Sequence, residues 1–292
     1  MKSIYFLIVL LLFFSGCSQP QPLAHKFTCK NEIYALKSSE CLSMENFHKK
    51  IEAYQIIFIG DYHDETAVQE FVAKFITNSS KKIHVANEWF TPKHNELLDD
   101  YCRGDVNASV LRDDINWTKK VGYDFKNYAS IYKSVKDAKG KLYGINMSRA
   151  FRKKISDQNI SSMSSKEKLF FDSLDLNVTA HQQLVSPYLD HCKHSKNISI
   201  CKDRMYRVQV AWDSYMGHES ALLAQNILAD NNSVLIVFVG AMHLSQSLGV
   251  NMRFARESNM PFVTLLPHSD KELSVRHGDA EYIFFYDDNE TK

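Results

Sequence analysis

The sequence predicts an α/β fold: a mostly parallel sheet flanked by helices, with a helical insertion or lid. Three observations predict it. Apolar runs of strand length alternate with stretches of helical periodicity, the pattern of strand–helix–strand units. Two of the runs, IIFIG (56–60) and VLIVFVG (234–240), are continuously apolar, as strands covered on both faces of a parallel sheet are. Both end in the same device, Gly-x-x-His, at 60–63 and at 240–243.

The elements follow in order. Residues 1–16 read as a lipoprotein signal peptide: Lys2 gives a positive start, and residues 4–14 are apolar but too few to span a bilayer. The stretch ends in FSGC, which puts Cys17 at the lipid-bearing position. Residues 17–31 form a lipidated tether rich in Pro and Gln. Residues 32–292 are expected to be one α/β domain with a helical insertion over about 156–202. EIYAL (32–36) is a weak strand, and MENFHKKIEAY (44–54) is a helix leading into IIFIG. Asp64 can cap the next helix, where Ala67, Val68, Phe71, Val72, Phe75 and Ile76 share one face. KIHVANEWF supplies a strand ending at Glu88. YASIYKSVKDAKG is an amphipathic helix that Gly140 is expected to close. KLYGINM is a further strand, whose exit carries Asn146, Ser148 and Arg149. A serine-rich polar segment, 156–165, opens the insertion, and Pro187 and HCKHSKNISIC interrupt its helices. A long helix over 201–230 follows, then the strands VLIVFVG, PFVTLLP and EYIFFYDD.

With 35 basic and 34 acidic residues, the charges nearly cancel, and no basic block suggests a nucleic-acid partner. The leader implies export to an oxidising compartment. Four of the five cysteines beyond Cys17 can then pair. Local closure of Cys29 with Cys41 and of Cys192 with Cys201 is preferred, although spacing alone does not decide connectivity. Cys102 is left over as a buried thiol. The Asn-x-Ser/Thr sites at Asn107, Asn116, Asn177 and Asn289 have Asp two residues earlier, which some bacteria require for glycosylation of exported proteins.

Ligands of open α/β sheets bind beyond the carboxyl ends of the strands. Four strands here end in polar groups: Asp61, Tyr62, His63 and Asp64 on one, Glu88 on the next, Asn146 and Arg149 on a third, His243 on a fourth. Two histidines with a carboxylate can bind a transition metal, or can form an acid–base set near neutral pH. The plainer alternatives are a helix cap for Asp64 and a Glu88–Arg149 ion pair. On the long helix, Tyr206, Gln209, Asp213, Met216 and Ser220 share a face too polar for a core stripe, suited to the wall of a partly wet pocket. Val208, Trp212 and Tyr215, on the neighbouring face, read as core.

In this order, IIFIGDYHD, NEWF, GINMSRAF, YRVQVAWDSYMGHE and FVGAMH resemble the ChaN-type haem-binding uptake lipoproteins. These sit in a superfamily with Tiki-type metalloproteases, TraB-like proteins and erythromycin esterases. The resemblance spans nearly all of the chain from Glu32 onward. It maps the superfamily's Gly-Glu-x-His onto Gly60, Asp61, Tyr62 and His63. The second acidic strand end falls on Glu88, the basic residue on Arg149, the helix pattern on Gln209, Asp213 and Met216, and the closing Gly-x-x-His on Gly240 and His243. Asp61 stands where the enzymes carry glutamate. An arm shorter by about one methylene counts against precise catalytic geometry more than against binding.

The resemblance implies haem as the cofactor, held by a tyrosine in a pocket at or near the interface of a homodimer, with the lipid bilayer reached through Cys17 and an outer-membrane haem receptor as a partner. Ser18, in place of an aspartate, is compatible with the outer membrane of a Gram-negative bacterium. Tyrosine is a recognised axial ligand of haem iron. Tyr206 is the first choice, with Tyr62 and Tyr215 behind it. His63, Glu88, Arg149, Gln209, Asp213 and His243 line the expected pocket, and His181, His191 and Lys193 are candidates to reach a partner's propionates. Two other readings stand beside it: a metal-dependent hydrolase using His63, Glu88 and His243, and a surface interaction protein whose pocket is a remnant.

Overall fold

The structure is a computed structural model that describes residues 29, 33–63, 65–227, 230, 232–269 and 278–286. The leader, Cys17, the tether except Cys29, Asp64 and Asn289 therefore lie outside the described residues. The chain opens with a small hairpin, β1 (Ile33–Ala35) and β2 (Glu40–Leu42), followed by α1 (Met44–Lys50). Then come β3 (Ile56–Asp61), α2 (Thr66–Thr77) and β4 (Lys82–Asn87). Four helices follow: α3 (Asn95–Arg103), α4 (Ala108–Asp114), α5 (Trp117–Lys120) and α6 (Phe125–Asp137). After β5 (Leu142–Gly144), helices α7 (Arg149–Ser156), α8 (Ser165–Asp172) and α9 (Thr179–Val185) and a 3-10 segment (Ser186–His194) make up the insertion and its approach. The thirty-residue α10 (Ile198–Ile227) leads to β6 (Ser233–Gly240), α11 (Val250–Glu257), β7 (Phe262–Ser269) and β8 (Tyr282–Tyr286).

The eight strands form one sheet in the order β2-β1-β8-β7-β3-β6-β4-β5. The six from β8 to β5 pair in parallel, and the hairpin adds two antiparallel strands at one edge. Every residue of β3 and β6 is buried, which explains their unbroken apolar sequences. Each side chain alternates into one of two cores. Ile57 and Ile59 enter the core under α2 and α6, while Ile56 and Phe58 enter the one under α10 and α11. Full burial of such a side chain is worth roughly 1.5–3 kcal/mol.

Two expectations about ends need correction. Gly140 does not cap α6: Ala138 is the C-cap, and Lys139 takes the left-handed conformation (φ 56°). Glycine is needed at 140 because a Cβ there would stand 1.8 Å from the Ile83 carbonyl oxygen. MENFHKKIEAY stays helical only to Lys50, after which residues 51–53 turn into β3. The structure joins Cys29 to Cys41 and Cys192 to Cys201, each with Cα atoms 5.7 Å apart. Cys102 is a half-buried thiol whose pKa burial pushes up. No helix among the described residues is long and apolar enough to cross a membrane.

Candidate functional site

The site sits where β3, β6 and β4, neighbours at the centre of the sheet, all end. Asp61 pairs with Gly240 across β3 and β6, and Asn87 pairs with Phe238 across β4 and β6. The two Gly-x-x-His turns are thus adjacent, with Glu88 beside them. Gly240 is what lets them meet. A Cβ there would stand 3.2 Å from His63 Cε1 and Nε2 and 3.4 Å from His243 Cδ2, so both imidazoles pack over the bare backbone. Glu88 is 4% exposed, and its Oε2 accepts the Gly240 N–H at 2.7 Å. Asn146, beyond β5, donates to the Glu88 carbonyl at 2.6 Å.

Each histidine is backed by a buried aspartate. Asp61 accepts from Gln69 Nε2 at 2.6 Å and from the Tyr128 hydroxyl at 2.9 Å, and His63 Nδ1 lies 2.9 Å from its Oδ2. A carboxylate so placed makes Nδ1 the donor and turns Nε2 outward. Burial on its own would depress the His63 pKa; the Asp61 hydrogen bond and the charges of Glu88 and Asp61 outweigh it and raise the value. Asp213, fully buried on α10, has Oδ1 2.5 Å from His243 Nδ1 and 3.1 Å from Gln209 Nε2. His181 Nε2 stands 3.0 Å from the other oxygen. Burial pushes the Asp213 pKa up, and His243, His181 and Arg253 more than reverse it, so the net direction is down. For His243 the opposing causes are burial, which lowers, and the charges of Asp213 and Glu88, which raise and prevail.

His63 and Glu88 open on a cleft of about 630 Å³, also lined by Arg149, Arg152, Trp89, Tyr123 and Trp212. The structure therefore brings His63, Glu88, His243 and Asp213 together and sets Arg149 at the rim. There is no Glu88–Arg149 salt bridge among the described residues. The polar face of the long helix lies deeper than expected, and the apolar face packs half-buried on the apolar clusters. Asp213, Met216 and Ser220 are buried inward, whereas Val208, Trp212 and Tyr215 are half-exposed toward the insertion and the clefts. Spacing defines a face but not its direction, and here the histidines supply partners that make the polar face the inner one.

The tyrosines separate clearly. Tyr206 is 9% exposed, its hydroxyl 3.2 Å from His181 Nδ1, in a small apolar cluster with Val185, Leu189 and Val210. It does not line the strand-end cleft. Tyr62 packs edge-on against Tyr286, with ring centres 6.1 Å apart. Tyr215 lies between Phe151 and Phe170, its pKa raised by burial and by Glu219. His181, 1% exposed and held by Asp213, cannot reach a partner's propionates, whereas His191 and Lys193 are exposed. Sequence reasoning missed Gln69 and Tyr128, the buried donors to Asp61. Tyr128 opens the apolar face of α6, and a polar Gln69 on the inner face of α2 is a signal that was available.

Among the described residues, the one group of three His, Cys or carboxylate side chains with ligand atoms within 4.8 Å is His191 with Cys192 and Cys201, and those two sulfurs are bonded to each other. His63, Glu88 and His243 are not drawn that close, so their geometry lends no support to the metal-dependent reading.

The sequence matches the family described as "Haem-binding uptake, Tiki superfamily, ChaN" over residues 47–263, about three quarters of the chain. The chain belongs to the ChaN family. A solved ChaN of Campylobacter jejuni, described as binding cofacial haem, shares the fold with a TM-score of 0.66 at 17% identity, over 86% of this chain and 95% of that one. Weaker likenesses are the type III effector HopBA1 (TM-score 0.48, 12% identity, 84% and 94% covered) and the erythromycin esterase EreC in an open conformation (0.43, 10%, 82% and 76%). No curated protein matches the sequence significantly. The ChaN fold agrees with the predicted parallel sheet and flanking helices.

Proposed function

We propose that the chain is a lipid-anchored haem-binding protein of bacterial haem or iron uptake, exported, held at the outer membrane through Cys17, and carrying haem on a tyrosine at a dimer interface. Membership of the ChaN family supports haem as the ligand. Haem is here the cargo rather than a resident cofactor.

The observation that carries the placement is where apolar side chains are left exposed. Of seven such large residues among the described ones, Ile160, Leu169, Tyr188, Ile198 and Ile200 lie in the insertion. Concentrated exposed apolar surface marks a ligand or partner site. A haem iron needs a phenol oxygen it can reach, apolar walls for the porphyrin, and donors for the propionates. Tyr188, 59% exposed, meets the first need, which Tyr206, with its hydroxyl against His181, does not. Exposed His191 and Lys193 follow it, and the Cys192–Cys201 bridge ties this segment to the start of α10, beside Ile198 and Ile200. Tyr188 therefore replaces Tyr206, Tyr62 and Tyr215 as first choice. A haem lying on this surface leaves one face uncovered, and a second copy bringing its own haem would cover it.

The test is hemin titration of the full-length chain, followed by visible absorption and sedimentation. Wild type should give a saturable spectrum of tyrosinate type and haem-linked dimers, and Tyr188→Phe should lose both. An unchanged spectrum in that variant would remove Tyr188 as ligand. The absence of any saturable spectrum in wild type would sink the haem reading itself.

A further inference from the structure

The strand-end cleft carries charge that a haem on the insertion does not use. Its walls hold four cationic side chains, Lys93, Lys120, Arg149 and Arg152, against one carboxylate, Glu88, which is already engaged by the Gly240 N–H. None of the four cations makes an ion pair among the described residues, although the exposed lysines and arginines elsewhere on the surface commonly do. Arg152 is half-buried, its guanidinium 4.7 Å over the Trp212 ring, so it has left water for an aromatic face, with Glu88 acting on it only at a distance. The positive charges also crowd each other: burial lowers the Arg152 pKa, Arg149 lowers it further, and the opposing charge of Glu88 does not reverse the direction.

Helix α7 sharpens the conflict. Its amino end opens on the cleft through Ser148, Arg149 and Ala150. The positive pole of a helix favours acidic side chains in the first turn. Here the first turn has none, and Arg149 leads it, with Arg152 one turn on. Ser148 Oγ caps the Phe151 N–H at 3.1 Å, leaving the N–H groups of the preceding two residues at the start of the helix. Cations, a helix amino end and desolvation point the same way, toward an anion supplied from outside.

We propose that this cleft is a second ligand site, for a phosphate monoester whose dianionic group lies among Arg149, Arg152 and the amino end of α7 and whose organic part lies against Trp89 and Tyr123. Four cations against one carboxylate call for a dianion more than for a monocarboxylate. The volume, about 630 Å³, leaves room beyond the phosphate, and the aromatic walls suit a flat apolar group. The site is independent of the haem reading, since Tyr188 and the exposed apolar residues of the insertion take no part in it.

The experiment titrates the full-length chain with phenyl phosphate, inorganic phosphate and phenylacetate, following tryptophan fluorescence. Phenyl phosphate is expected to saturate, at least tenfold tighter than either of the others. Arg152→Gln should weaken it at least tenfold. So should the pair Arg149→Gln with Lys120→Gln, both exposed and safe for folding, with near-ultraviolet circular dichroism unchanged. No saturable response to phenyl phosphate, equal affinity for phenylacetate, or indifference to the exposed pair overturns the proposal. Stoichiometric displacement of phenyl phosphate by hemin also overturns it, by making the cleft the haem site. Phosphate binding that persists in a chain that takes up no haem leaves this site standing and removes the haem reading instead.

Discussion

Replacing Asp213 by Asn tests whether the buried histidine–aspartate set is held together by charge. Asn has the same volume, so no cavity opens. What is lost is the anion that faces His243 at 2.5 Å, Gln209 at 3.1 Å and His181 at 3.0 Å. Hydrogen bonds to charged groups are worth about 1.5–3 kcal/mol each, and breaking a buried pair costs about 3–5 kcal/mol. Asn keeps one acceptor oxygen, so the loss expected near pH 6 is about 3 kcal/mol, or about 1 M in the urea midpoint at a slope of roughly 3 kcal/mol/M. The pH dependence has a definite sign. Asp213 has its pKa lowered by folding, so its contribution is present above 3.8 and is lost as pH falls through the folded value. His243 has its pKa raised, so its contribution is full below 6.5 and fades as pH rises through the folded value. The deficit of Asp213→Asn should therefore be largest near pH 6 and smaller at pH 9. Urea unfolding with disulfides intact measures it. A deficit under about 1 kcal/mol at pH 6, or one equal at both pH values, would refute the charge argument and leave Asp213 as a hydrogen-bond acceptor only.

Three further outcomes are expected. Gly240→Ala should cost about 1–3 kcal/mol by overpacking, and should displace the His63 ring, read as a changed imidazole titration in NMR. Tyr206→Phe should cost about 1 kcal/mol through the lost contact with His181 while leaving hemin spectra unchanged; a lost spectrum would return Tyr206 to the ligand role. Replacing Cys192 and Cys201 together by Ser should cost about 2–3 kcal/mol and expose the insertion to proteolysis, with cleavage absent from the α/β core.

Much of the fold was written locally. Continuous apolar runs marked β3 and β6 because strands covered on both faces leave no position for a polar residue. The glycine and histidine after each run marked the site because a sheet presents ligands at its carboxyl edge. The helices α3, α4 and α5 and the cap of α7 escaped notice. Their apolar positions are few, and neighbours supply the order: α3 packs on β5 and α6, α4 on α3 and α5, and α7 on α10.

By itself, the sequence determined which residues could meet at the strand ends, because chain geometry puts Asp61, Glu88 and His243 at the same edge whatever the strand order. Tertiary structure alone decided that β6 lies between β3 and β4, which makes His63 and His243 face each other over Gly240. It also decided that the polar stripe of α10 turns inward and that Tyr206 is buried while Tyr188 is exposed. The physical reason is common to these cases. A spacing of three or four defines a helix face, but only the partners brought by distant segments make one direction of that face lower in free energy than the other.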